Sequence, residues 1–141
     1  MDKNISAIYN SLQEVAWYFG NKGFDGECCG DLSLVEFMTL KKTFLNKNFS
    51  IQDIGNALNF TKSGATRIVD RLVSKGYLTR ERSSVDGRVC CVSVTEKGTE
   101  MINETMGKNT AQLQERLKDL EPQVVDVIKD ALETLLTAIE R

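Results

Sequence analysis

The chain of 141 residues contains no histidine. That removes the side chain most often used as a general base and most often used to hold a metal ion. Ser-His-Asp and Cys-His catalysis are excluded. Proline occurs once, at Pro122, so long loops and linkers are not expected. Apolar runs are only a few residues long, such as Val15 to Phe19, whereas a membrane span takes roughly 20. No basic stretch leads into an apolar one at the start, so no secretory signal is expected. The cytoplasm is the expected location, with no membrane partner. Gly20, Gly23, Gly26 and Gly30 are too spread to form a phosphate-cradling loop. An enzyme is not expected.

What is present describes an ordinary globular protein. Apolar residues are 41% and charged residues 27%, too apolar for disorder. The length is enough for one domain with a hydrophobic core. Net charge is only −2, but it is unevenly spread. Between Thr61 and Arg88 seven Lys/Arg face three Asp/Glu, a net +4, which leaves −6 on the rest. A basic surface on an acidic body is an electrostatic footprint for nucleic acid; the plainer alternative is a solvated helix face.

Hydrophobic spacing predicts a mainly α fold with one small hairpin. Ile5, Ile8, Leu12, Val15, Ala16 and Phe19 mark a first helix over about 4–20. A glycine-rich loop follows, up to Gly30. Ser33-Leu34-Val35-Glu36 reads as a capping box opening a second helix that runs to about Asn46. Ser50 caps a short third helix, and Asn59 suits a left-handed stop. Thr61 caps a fourth, with Gly76 placed to end it. Tyr77 to Arg82 and Val89 to Val94 read as strands joined by a turn over Ser83 to Gly87, with Asp-Gly as the hairpin signal. Thr95 starts a fifth helix, weakened in its middle by Gly107. Pro122 suits the first turn of a sixth. The close spacing of the third and fourth helices fits a helix-turn-helix, and the hairpin after them fits a wing.

The stretch from Leu32 to Gly98 resembles the MarR family of transcription regulators. The resemblance rests on Leu34-Val35-Glu36-Phe37, Ile51-Gln52-Asp53-Ile54-Gly55, Thr66-Arg67-Ile68-Val69-Asp70-Arg71-Leu72, Lys75-Gly76-Tyr77-Leu78, Asp86-Gly87-Arg88 and Thr95-Glu96-Lys97-Gly98. It implies one domain over 1–141. A winged helix-turn-helix core would span about 33–95, with dimerisation helices over about 4–20 and 96–141. It also implies a homodimer on a palindromic operator in double-stranded DNA, acting as a repressor until an effector releases it. A winged-helix module that binds protein instead of DNA is the alternative.

The residue chemistry agrees. Short polar side chains at the start of a recognition helix can approach base edges, and Lys62, Ser63, Gly64, Thr66 and Arg67 lie there. Gly64 costs the helix about 1 kcal/mol relative to Ala and would let the backbone come close to DNA. Arg67 suits a bidentate contact to guanine. Arg71, one turn on, suits a phosphate; Arg82 shares a face of the first wing strand with Arg80, and Arg88 beside the turn could enter the adjacent minor groove. Asp86 and Gly87 would support the wing, with Asp86 paired to a neighbouring Arg. Many relatives carry arginine where this chain has Gly87, so one wing charge is missing.

The cysteines form two adjacent pairs, Cys28-Cys29 and Cys90-Cys91. Neighbours in a strand point to opposite faces, so Cys90 would share the face of Val92 and Val94, and Cys91 the other. Cys28 and Cys29 lie between glycines, where packing gives no reason for two thiols. They are candidates for an effector or redox site, or for a thiophilic metal or metalloid ion with Cys90 or Cys91. The plainer reading is structural use. No cofactor is required, and a small organic effector is the other option.

Overall fold

The computed structural model describes residues 1–22, 29–82 and 89–140, the side chains of 21, 22, 89 and 90 excepted. The chain divides into two compact units, Met1–Gly107 and Lys108–Arg141. The boundary falls at Gly107, inside a helix that the single-domain expectation treats as continuous.

The first unit opens with α1, Lys3–Trp17, capped by the Asp2 carboxylate, which accepts from the amides of Asn4 and Ile5. A π-helical turn, Tyr18–Lys22, closes it, so regular α geometry ends three residues before the expected limit. No residue of α1 is buried. The loop expected to follow lies largely outside the described residues.

The helix-turn-helix forms as its caps dictate. In α2, Leu34–Leu45, Glu36 N–H donates to Ser33 Oγ at 3.2 Å and Ser33 N–H donates to Glu36 Oε1 at 3.1 Å. In α3, Ile51–Leu58, Ser50 and Asp53 form the same reciprocal box. The Ser50 amide and hydroxyl hold the Asp53 carboxyl below its usual range. Asn59 stops α3 at φ 59, the expected left-handed cap. Thr61 caps α4, Lys62–Ser74, by accepting from Gly64 N–H at 3.1 Å, and Gly76 follows at φ 84.

β1, Leu78–Arg82, pairs antiparallel with β2, Val89–Val94. β1 begins one residue later than expected, because Tyr77 N–H is spent on Leu72 O at 2.9 Å. The register shifts between Glu81 and Arg82. On its other edge, Val92 N–H donates to Phe49 O at 2.8 Å, tying the sheet to the turn between α2 and α3. The expected Ser83–Gly87 turn lies outside the described residues.

Leu40, Ile54, Ala65, Val69, Leu72, Leu78 and Ile102 fill the core beneath α4. Burying each of the larger aliphatic ones is worth about 1.5–3 kcal/mol. α5, Glu96–Leu117, starts against this core. A Cβ at Gly98 would sit 2.4 Å from Tyr77 O and 2.7 Å from Val94 Cγ1. The glycine of Thr95-Glu96-Lys97-Gly98 is thus the residue that lets a helix backbone touch another backbone.

The second unit holds the rest of α5 and α6, Pro122–Ile139, with Pro122 in its first turn. No residue of α6 is buried, although Val124, Val125, Ile128, Leu132, Leu136 and Ile139 recur at helical spacing. Among the described residues no helix is long and apolar enough to cross a membrane.

Candidate nucleic-acid interface

α4 buries Ala65, Val69 and Leu72 and turns the residues between them outward. Lys62, Ser63, Arg67, Asp70 and Arg71 are exposed, and Gly64 and Thr66 are half-buried. Lys62, Ser63, Thr66, Arg67 and Asp70 line one open depression of about 620 Å³. The Thr66 hydroxyl donates to Lys62 O at 2.9 Å, which fixes its rotamer against the helix.

Gly64 departs from its sequence reading, and Asp70 gains a partner that the sequence does not name. A Cβ at Gly64 would stand 3.1 Å from Thr61 Oγ1, the oxygen that caps the helix. Local capping therefore gives Gly64 a reason of its own, independent of any approach to DNA. Asp70 forms an ion pair with Arg80 of β1. The pair joins the recognition helix to the wing strand. The sequence alone points to Asp86 as the acid that pairs with a neighbouring arginine. Asp70 and Arg80 lie on different elements ten residues apart, so no spacing rule could find them.

On the wing, Arg82 is exposed at the register shift and makes an interaction within the chain. Asp86, Gly87 and Arg88 lie outside the described residues.

The cysteines also differ from expectation. Cys29 is only 2% exposed and belongs to the hydrophobic core with Leu32 and Phe37. Packing therefore does claim one of the two loop cysteines. Cys91, assigned to the face opposite Val92, is 5% exposed, so both strand faces are covered at that point. Cys29 and Cys91 are each disulfide-bonded. In this oxidised form neither offers a thiolate to a metal ion, and no cluster of three or more metal-ligating side chains occurs among the described residues. Cys28 and the side chain of Cys90 lie outside the description.

The family model of the transcriptional regulator SarA/Rot matches residues 29–105, the winged helix-turn-helix with the start of α5. The chain belongs to this family. It is a DNA-binding, winged helix-turn-helix transcription regulator of MarR type, not an enzyme. Among curated relatives, the HTH-type transcriptional regulator MhqR of Bacillus subtilis is 28% identical over 101 residues, covering 72% of this chain and 70% of MhqR. A MarR family protein from Bacillus stearothermophilus has the same fold, with a TM-score of 0.86 at 19% identity over 100% of this chain and 99% of that one. Streptococcus pneumoniae FabT in complex with DNA aligns with a TM-score of 0.77 at 20% identity, covering 98% and 96%.

Proposed function

We propose that the protein is a cytoplasmic homodimer that reads a palindromic operator in double-stranded DNA and represses transcription until its thiols, or an effector, change state. The observation that carries the reading is the outward cluster Lys62, Ser63, Thr66 and Arg67 at the start of α4, beside the wing. Arg67 reads a base, while Lys62, Arg71, Arg82 and Arg88 hold phosphates. The unburied apolar side of α6 supports the dimer, since so wide a stripe needs a partner surface. Two copies related by a two-fold axis would present two readers to one site, and a protein seated there keeps polymerase off an overlapping promoter.

The disulfides of Cys29 and Cys91 support thiol control. Opening one takes two electrons. A dithiol reductant gives its two hydrogens to the two cysteine sulfurs and itself becomes a disulfide.

The test uses a duplex selected from a random-sequence library by the wild-type protein. Arg67→Ala lowers affinity by about 5- to 150-fold and relaxes one base position in each half-site, the equivalent of about 1–3 kcal/mol. Selection of no sequence, or unchanged binding by Arg67→Ala, overturns the assignment. Thiol control requires that a dithiol, peroxide, arsenite or a soft metal ion change wild-type binding, and that Cys28→Ser/Cys29→Ser abolish the response. If none of these agents acts, the effector is an organic molecule or absent.

A further inference from the structure

Two long-range hydrogen bonds converge on Asp31, on the exposed turn just before α2. The Tyr77 hydroxyl donates to Asp31 Oδ1 at 2.8 Å. The Lys75 ammonium donates to Asp31 O at 3.2 Å and lies 3.0 Å from Glu36 Oε2. Lys75 is the C-cap of α4, and Tyr77 directly precedes β1. One residue therefore holds both the end of the recognition helix and the root of the wing. The turn itself is anchored. Leu32 N–H donates to Cys29 O at 3.1 Å, and both Cys29 and Leu32 are buried. From the far side, Lys97 donates to Lys75 O at 2.7 Å and lies 4.7 Å from the Tyr77 ring centroid.

Packing alone does not ask for this arrangement. The Tyr77 ring is buried, and phenylalanine would fill the same space. A buried hydroxyl is costly unless bonded, and the partner it has is a carboxylate on a separate turn. What the bond adds is direction. A helix of 13 residues is about 20 Å long. A tilt of about 5° at its C-terminal end moves the side chains at its start by about 2 Å, more than a hydrogen bond to a base edge tolerates.

We propose that Asp31 is a positioning residue for DNA reading: through Tyr77 and Lys75 it sets the angle at which α4 presents Lys62, Ser63, Thr66 and Arg67. The proposal rests on the DNA-reading function above and adds to it the residue that aims the reader.

The experiment compares the selected duplex with an unrelated duplex of equal length, by fluorescence anisotropy, on the full chain. Asp31→Ala lowers affinity for the selected duplex by about 5- to 20-fold, as the loss of a charged hydrogen bond would, and for the unrelated duplex by less than about twofold. Asp31→Asn stays within about twofold of wild type, because its amide oxygen still accepts from Tyr77. Tyr77→Phe matches Asp31→Ala, and the double variant is no worse than either single one, as expected for partners in one interaction. If Asp31→Ala fails to fold, Tyr77→Phe carries the comparison, since it keeps the ring.

Unchanged discrimination in Asp31→Ala or Tyr77→Phe overturns the proposal. So does equal loss on both duplexes, or an Asp31→Asn variant as poor as the alanine. Wild type that selects no sequence removes the DNA-reading function and this proposal together. Wild type that selects a sequence, with variants that read it equally well, removes the positioning role alone.

Discussion

The core of the first unit and the last helix of the second treat their apolar side chains in opposite ways. In Met1–Gly107, Leu40, Ile54, Ala65, Val69, Leu72 and Ile102 show no exposed surface at all. In Lys108–Arg141, Val127 is 66% exposed, Leu136 55% and Ile139 60%. Both regions carry helical apolar periodicity, so the pattern itself does not separate them. The difference lies in what the chain supplies to cover the stripe. The reader has its own sheet and neighbouring helices, whereas α6 has a face that the chain leaves open. The core of the first region is covered, and the stripe on α6 stays exposed.

The strongest way to break that comparison is to charge the open face. Leu132→Asp with Leu136→Asp should convert a two-chain particle to a single chain by light scattering. Operator affinity should fall by about 10²–10⁴, the gain that linking two half-sites gives. A variant that keeps its mass and its affinity would show that the exposed stripe is not the interface.

Alkali acts on the covered core. Burial, then the hydrogen bond and charge of Asp31, push the Tyr77 hydroxyl up to about 12. Below pH 10 the folded and unfolded chains both keep that proton. Between about 10 and 12 the unfolded chain ionises first, so stability falls as pH rises. The total is on the order of 2–3 kcal/mol, at about 1.4 per unit. Denaturant melts at pH 9 and pH 11.5 should show the loss in wild type and a smaller loss in Tyr77→Phe. Equal losses would remove Tyr77 as the cause.

Two glycines of α5 give the finest contrast. Gly98→Ala forces a Cβ onto Tyr77 O and should cost about 1–3 kcal/mol, as overpacking does. Gly107 has nothing within 4 Å of a Cβ, so Gly107→Ala should raise stability by up to about 1 kcal/mol through helix propensity. Thermal melts that move both variants in one direction would contradict the packing at Gly98.

Local signals carried most of the fold. Ser33, Ser50, Asn59, Thr61, Gly76 and Pro122 sit at helix ends where capping chemistry puts them. The strand over Val89–Val94 follows from its β-branched and small residues. The outward set on α4 follows from helical spacing once Ala65, Val69 and Leu72 are buried. What the sequence hid is tertiary. Asp70 with Arg80 and Asp31 with Tyr77 join elements whose approach no periodicity encodes. Cys29 reads as a loop residue because glycines surround it, yet the core takes it in. Gly98 reads as one letter of a motif, and its reason is a carbonyl 21 residues earlier.

The burial of Cys29 and Cys91 has a consequence for time rather than affinity. Thiol–disulfide exchange needs a thiolate to reach a sulfur along the S–S axis, and at 2% and 5% exposure Cys29 and Cys91 offer little surface to such an approach. Attack at Cys29 itself waits on an opening of its surroundings, and that opening withdraws Leu32 from the core as well. The pace of attack at that sulfur then depends on how often the segment opens, a local unfolding equilibrium, as well as on how much reductant is present. Buried in this way, Cys29 is shielded by the core that it helps to fill.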